Sequence, residues 1–288
     1  MKRAIIFAHY DVDGIVDPYV VEAINGYRRH TDSLLFVSAS ASSMPRELRA
    51  TVDHFIPRRN VGYDFGSWKA GWLALKQRDS FDEIVFANDS VYGPLIDLRP
   101  ALNATKCVEA DFWGMVLSEA HGPHVQSWFF VARQPVIRSA VFESFWQSTG
   151  SDMRDKCELV LRFEIGLSRL LTNSGYSLAG VYDGRERPFV THAERLSHFS
   201  ISQPLRSIKF IKKTLPRRVP FDPSLLFYRR LWGAGIPFIK RRLFDINPYA
   251  LDLQHVADDL KRFSPHWQTL IENHQNRIRR SVRTRQAQ

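Results

Sequence analysis

The sequence predicts an α/β fold: a doubly wound, mostly parallel but mixed sheet, followed by a basic, mainly helical C-terminal appendage. Three observations predict it. Short apolar runs rich in β-branched residues alternate with helix-period segments through the first two thirds of the chain. After about Asp183 that alternation gives way to Pro-punctuated, basic and aromatic segments. The two cysteines, Cys107 and Cys157, stand in no metal-ligand spacing, so neither a disulfide framework nor a zinc site is needed to build the fold.

The candidate strands are residues 4–9, 34–38, 52–56, 83–87, 112–117, 127–132 and 176–182. Between them, residues 16–29, 65–77, 135–147 and 157–173 read as helices, and in such a sheet ligands gather where strand C-termini feed into loops. Pro188, Pro204, Pro216, Pro220, Pro223 and Pro237 then punctuate the chain, and two helices, 251–263 and 266–280, end it. The length of 288 residues suffices for a sizeable domain with an appendage packed on it. The expected division is 1–185 for the sheet domain and 186–288 for the extension.

The net charge of +10 is uneven. Residues 205–243 carry eleven basic residues (Arg206, Lys209, Lys212, Lys213, Arg217, Arg218, Arg229, Arg230, Lys240, Arg241, Arg242) against one acid, Asp222. A second cluster, Arg277, Arg279, Arg280, Arg283 and Arg285, closes the sequence. Such segments attract phosphates, whether of nucleic acid, anionic lipid or a pyrophosphate-linked acceptor, and equally serve as solvated surface. The apolar stretch after Lys2 and Arg3 is too short for a signal peptide, and no run approaches the roughly 20 apolar residues that span a bilayer. The expectation is a protein of the reducing cytoplasm, soluble or peripheral at the inner face of the cytoplasmic membrane.

Three loops carry candidate chemistry. The first strand runs into His9-Tyr10-Asp11-Val12-Asp13-Gly14. An Asp-x-Asp-Gly run after an apolar strand fits a haloacid-dehalogenase-like phosphohydrolase with Asp11 as nucleophile and Asp13 as acid/base, although His9 and Tyr10 intervene where the acid normally follows the strand directly. It equally fits an acidic turn capping the next helix. The second loop, Arg59-Asn60-Val61-Gly62-Tyr63-Asp64-Phe65-Gly66-Ser67-Trp68-Lys69, has glycines that let a backbone approach a ligand, with Asn60, Asp64 and Lys69 as hydrogen-bonding groups. The third, Asn88-Asp89-Ser90-Val91-Tyr92-Gly93-Pro94, brings a carboxylate to a strand end, where a Mg²⁺ or Mn²⁺ ion on a pyrophosphate needs hard oxygen ligands. Asp89 is the best metal candidate by type and place, or else caps the turn before Tyr92.

These segments in this order, with Asp111-Phe112-Trp113-Gly114, Val125-Gln126-Ser127-Trp128-Phe129 and Phe163-Glu164-Ile165-Gly166-Leu167-Ser168, resemble the rhamnan synthesis protein F family. The resemblance covers about residues 3–185 well and continues weakly through Gly235-Ile236-Pro237-Phe238-Ile239-Lys240 and Asn247-Pro248-Tyr249. It implies a glycosyltransferase with a GT-A-like (Rossmann-like) domain. The donor would be a nucleotide sugar, with dTDP-L-rhamnose suggested by the family name. The acceptor would be a lipid-linked or growing glycan such as O-antigen, with the basic segment 205–243 as a membrane-surface dock and no nucleic acid as partner.

By this resemblance His9, Tyr10, Asp11 and Asp13 contact the nucleoside, and Asn60, Gly62, Tyr63, Asp64, Gly66 and Lys69 hold the donor side with Asn88, Asp89 and Ser90. The usual metal motif has two acids where this chain has Asn88-Asp89-Ser90, so a divalent cation is either weakly held or replaced by Lys69, Arg133 or the basic C-terminal segment. Inverting members use a helix-borne acid as general base, here Glu164. Val160, Phe163, Leu167, Leu170 and Leu171 form one helix face, and Glu164 at its edge is expected to be partly buried with a raised pKa, or else is a boundary residue paired with a neighbouring arginine. Tyr92, Trp113, Trp128 and Phe129 are candidates to stack on sugars, with core packing the common fate of such aromatics, while Gln126 and Ser127 are the better acceptor-site candidates. His121 and His124 flank Gly122-Pro123 at an expected loop tip, with no metal role.

Overall fold

The computed structural model describes residues 1–104, 107, 109–120, 122–149, 158, 160–198, 203–215 and 221–286. Its centre is an eight-stranded sheet. The strands are β1 (Arg3–His9), β2 (Ser33–Ser38), β3 (His54–Pro57), β4 (Glu83–Asn88), β6 (Phe112–Ser118), β7 (His124–Val125), β8 (Phe129–Arg133) and β9 (Leu178–Asp183), in the order β3-β2-β1-β4-β8-β6-β7, with β9 pairing β6. The first four are mutually parallel; β8 lies antiparallel between β4 and β6, and β9 returns parallel to β6. A separate two-stranded ribbon joins β5 (Val91–Tyr92) to β10 (Ile239–Lys240).

The central strands are largely apolar because both sheet faces are covered there, while the edge strand β3 has no fully buried residue. Ile5 and Phe7 of β1 enter one core, and Ala4, Ile6 and Ala8 enter the other. Helix α1 (Pro18–Arg28) packs Tyr19, Val20, Ala23, Ile24 and Tyr27 on the first face. On the opposite face α2 (Tyr63–Ala74) packs Phe65, Trp68 and Trp72, and the indole N–H of Trp68 donates to the Ala87 carbonyl at 2.9 Å. Burying a side chain such as Phe65 contributes roughly 1.5–3 kcal/mol, which explains why an aromatic-rich helix settles there. Helices α3 (Ala140–Ser148) and α4 (Gly166–Asn173) complete this layer.

The C-terminal third shares the α1 core. Tyr228, Phe238, Leu243, Val256, Leu260, Trp267 and Ile271 join the cluster that holds Phe7 and Phe36. Among its helices are α5 (Pro204–Thr214), α6 (Leu253–Phe263) and the long α7 (Pro265–Gln286), which packs against α1 and α6.

Several boundaries differ from the sequence reading, each for a local reason. The expected helix 135–147 is two pieces, Gln134–Ile137 and α3, because Ser139 caps a new start by accepting from the Phe142 N–H at 3.1 Å. The expected helix 157–173 begins outside the described residues at Cys157; the described part is a π-helical turn, Val160–Ile165, leading into α4. The third strand starts two residues later than the expected 52–56 and ends one later, since the Asp53 side chain accepts from the Leu34 N–H and Val52 still turns back onto Leu48.

Gly71 sets how closely α2 lies on the sheet, since a Cβ there would meet Ile6 Cγ2 at 2.3 Å. Helix propensity alone makes Gly→Ala favourable by about 1 kcal/mol. Gly71→Ala is nonetheless expected to destabilise by about 1–3 kcal/mol through overpacking. Thermal denaturation reads the sign directly, and a raised Tm would show that α2 does not press on β1.

Candidate functional site

The C-terminal ends of β1, β2 and β4 meet the two glycine-containing loops and the C-terminal third, and this corner gathers most of the singled-out residues. The Asp89 N–H donates to the Ala8 carbonyl at 3.2 Å, and the Asn88 N–H to the Trp128 carbonyl at 3.3 Å, so the end of β4 touches both neighbouring strands. Asn88 donates through Nδ2 to Asp64 at 2.8 Å, and its Oδ1 accepts from the Ser90 N–H and hydroxyl at 3.1 and 2.7 Å. The second and third loops are thereby one unit. Gly62, with φ of 74°, starts α2, and Gly66 admits the Val61 carbonyl, which a Cβ would meet at 2.2 Å. Asn60 and Tyr63 stay exposed at the loop surface.

Asp89 is buried and faces a cation of the chain itself. Arg241 Nη1 lies 3.2 Å from its carboxylate, 2.9 Å from its carbonyl and 2.7 Å from the Tyr19 hydroxyl. Burial pushes the Asp89 carboxyl up to about 6, and Arg241 holds it against a larger rise. Arg241 is placed by the β5–β10 ribbon and by its own N–H, which donates to the Ser90 carbonyl at 3.0 Å. Lys240 beside it reaches within 3.5 Å of Ser90 Oγ and lies over the Trp128 ring.

The first loop is gripped in the same manner. Asp11 Oδ1 accepts from the N–H groups of Asp13 and Ile15, and Arg277 of α7 donates to Asp11, to Asp13 at 2.8 Å and to Asp17 at 2.7 Å. Burial works to raise the Asp11 pKa, but the Arg277 and backbone hydrogen bonds outweigh it and leave the carboxyl below its ordinary value. Ser281 donates to both Asp13 oxygens at 2.8 and 2.9 Å. With one Asp11 oxygen on backbone N–H groups and the other on Arg277, neither is free to attack phosphorus, and the phosphohydrolase reading loses its nucleophile. His9 is buried, hydrogen-bonded to Ser38 at 2.9 Å and lowered by that burial to about 4, so it is a neutral packing element; Tyr10 is exposed at the loop.

The residues present do not fit a divalent cation. Asp89 is neutralised by Arg241. Among the described residues, the one further grouping close enough to ligate is Asp11, Asp17 and His274, within 4.8 Å of one another, and Arg277 already bridges its two acids. A guanidinium thus occupies each carboxylate set.

Glu164 projects from the π-helical turn onto the loop before β8. Its carboxylate accepts from the Ser127 N–H at 2.8 Å and from the Ser127 hydroxyl, and lies 3.3 Å from His124 Nε2. His124 Nδ1 is 2.7 Å from the Gly122 carbonyl, which orients the ring. Burial disfavours the Glu164 carboxylate, yet His124 and Ser127 outweigh it and hold its pKa below the ordinary 4.5. This reverses the expected rise, because sequence spacing does not show a histidine arriving from another strand. His124 is accordingly no loop-tip residue but a buried partner of Glu164; His121 lies outside the described residues.

Other expectations are corrected by placement. Lys69 donates to the Gln147 and Thr149 carbonyls at 3.0 and 2.6 Å, satisfying the C-terminal end of α3. Arg133 pairs with Glu83, at the opposite end of β4 from Asp89, because β8 runs antiparallel. Trp113, Trp128, Phe129 and Tyr92 are buried and closed to a sugar face; Tyr92 instead bonds His274 at 2.6 Å and Gln275 at 2.8 Å. Gln126 is likewise buried, donating to Asp222 at 2.8 Å and accepting from Trp128 at 3.0 Å. Arg277, Tyr19 and His274 are site components that the sequence reading missed, since nothing local links α7 to a loop some 260 residues earlier.

The profile of a family described as Rhamnan synthesis protein F matches residues 34–281. Virulence protein VirA of Vibrio anguillarum is 26% identical over 223 residues, 75% of this chain and 70% of that protein. An uncharacterised protein, y4gN, of Sinorhizobium fredii is 26% identical over 132 residues, 44% of this chain and 34% of its own length. Among solved structures, one from Desulfovibrio desulfuricans G20 described as a nucleotide-diphospho-sugar transferase is 10% identical, covers 64% of this chain and 81% of its own, and has a TM-score of 0.38. A score that low assigns neither activity nor site.

The His124–Glu164 pair has a defined pH window. Burial opposes the His124 charge, but Glu164 and the Gly122 carbonyl raise its pKa above 6.5, so its contribution is complete below 6.5 and lost as pH rises through the raised value. The Glu164 contribution is complete above 4.5 and lost as pH falls through its lowered value. His124→Gln is expected to cost about 1–3 kcal/mol between those limits and progressively less on the alkaline side. Urea melts across pH measure this, and a deficit that does not vary with pH would contradict the ion pair.

Proposed function

The chain belongs to the rhamnan synthesis protein F family, and from that premise we propose that it is a glycosyltransferase moving a sugar from a nucleotide donor to a growing cell-surface glycan. The observation that carries the reading is one corner of the sheet. There the Asn88-Asp89-Ser90 turn, Asp64 of the glycine loop, Lys240 and Arg241 connect directly, and Trp128, adjoining the Ser127–Glu164 pair, joins them through its carbonyl.

The proposed donor is dTDP-L-rhamnose or a related deoxyhexose nucleotide, and the acceptor a lipid-linked or growing chain such as O-antigen. The donor diphosphate lies against Lys240 and Arg241, whose fixed charges stabilise the negative charge that develops as the anomeric bond breaks. The loops carrying Tyr10, Asn60, Tyr63 and Asp64 offer the exposed and half-buried polar groups for the nucleotide.

Glu164 acts as the base. The acceptor hydroxyl takes the place of the Ser127 hydroxyl on the Glu164 carboxylate, attacks the anomeric carbon from the side opposite the diphosphate, and passes its proton to Glu164. Inversion follows from that single displacement. A low-pKa carboxylate is a weak base toward a free alcohol, so proton transfer is late, after bond formation has made the hydroxyl acidic. His124 is a positioning residue here, keeping Glu164 ionised and aimed.

Release of dTDP from dTDP-L-rhamnose in the presence of a glycan acceptor measures the activity. Glu164→Gln is expected to lower kcat by about 100-fold or more while leaving donor affinity near the wild-type value. Transfer at close to the wild-type rate would place the base elsewhere, and failure of every nucleotide sugar to bind would remove the transferase reading itself.

A further inference from the structure

Helix α5 is built the wrong way round for a helix facing water. At about 100° per residue, its buried residues Ser207, Phe210 and Thr214 share one side and dock it on the protein. The opposite side of a solvated helix is normally polar. Here it carries Leu205, Ile208 and, at the C-cap, Leu215, exposed by 76%, 46% and 49%. Lys209 and Lys212 stand on the same side, both exposed.

The helix is held rigidly enough to present that side. Arg195 of the preceding helix, His192–Ser197, donates to the Thr214 carbonyl at 3.2 and 2.7 Å, and Lys213 donates to the Pro248 carbonyl at 2.6 Å. The His198 and Phe210 rings meet at 4.9 Å. The preceding helix leaves a further leucine, Leu196, 74% exposed.

We propose that this face of α5 docks on an anionic lipid surface, with Leu205, Ile208 and Leu215 entering the headgroup boundary and Lys209 and Lys212 lying along it. The lysine stems cover apolar surface while their ammonium groups reach lipid phosphates. Charge complementarity selects the partner. The helix has no acidic residue, and the one acid of the surrounding segment, Asp222, is turned inward, capping Ser224 and accepting from Gln126. A second copy fits less well, because a two-fold contact through this face would set Lys209 and Lys212 against the same lysines. The proposal is independent of which sugar the protein moves.

Co-sedimentation of the full chain with vesicles of phosphatidylcholine, with and without phosphatidylglycerol, tests it. The wild type is expected to bind the anionic vesicles, and salt to weaken binding. Leu205→Ser/Ile208→Ser keeps every charge and is expected to lose most of that binding, while Lys209→Gln/Lys212→Gln should weaken it by roughly fivefold per lysine. Circular dichroism melts confirm that these surface variants fold. Binding by the apolar double variant as tight as by the wild type would overturn the proposal, assigning attachment to diffuse positive charge. Absence of wild-type binding overturns it too, as does a wild-type oligomer in light scattering that the apolar variant dissolves.

Discussion

The buried contact between Arg241 and Asp89 is the constraint from which most of this structure follows. One guanidinium touches the carboxylate and carbonyl at the end of β4 and the hydroxyl of Tyr19 on α1, so it joins the sheet, the first crossover helix and the C-terminal third at one point. Burying both charges is costly, and removing one partner of such a pair typically costs about 3–5 kcal/mol because the other is left uncompensated. The chain meets that cost with the β5–β10 ribbon, which pairs Ile239 with Tyr92 and Lys240 with Val91 and so sets Arg241 directly beyond its end. Gly93 is part of the same device, since a Cβ there would meet the Pro237 carbonyl at 2.4 Å.

Arg277 repeats the principle on the first loop. Three aspartates between β1 and α1 crowd negative charge at a strand end, and a side chain of α7 satisfies all three. Together the two arginines convert acidic groups suited to a metal into groups already paired with fixed cations. That arrangement connects local electrostatics to the proposed chemistry: a site with Lys240 and Arg241 at the end of β4 stabilises a departing diphosphate by preorganised charge. It also makes the C-terminal third part of the site, where composition alone suggested an extension.

The sheet was legible in the sequence because its central strands are buried on both faces and read as continuous apolar runs, whereas Glu164 was singled out by the family resemblance, helix periodicity adding only its place at the edge of an apolar face. Pairings across long separations were not. Arg133 looks available in one dimension, yet antiparallel β8 carries it to the far end of β4. Lys69 follows the glycine loop but turns to the carbonyl end of α3, and His124 reaches Glu164 only after the sheet folds. Composition gave the C-terminal positive charge without distinguishing Arg241 and Arg277, which face inward, from Lys209 and Lys212, which face out.

In the proposed reaction Lys240 and Arg241 of the C-terminal third serve at the diphosphate position in place of a divalent cation. Calorimetric titration of dTDP-L-rhamnose into the protein, once with a chelator and once with Mn²⁺, tests it most directly. The same dissociation constant is expected in both, with a marked loss of affinity in Lys240→Met, which leaves the buried Arg241–Asp89 pair in place. Donor binding that appears only with Mn²⁺ would contradict it.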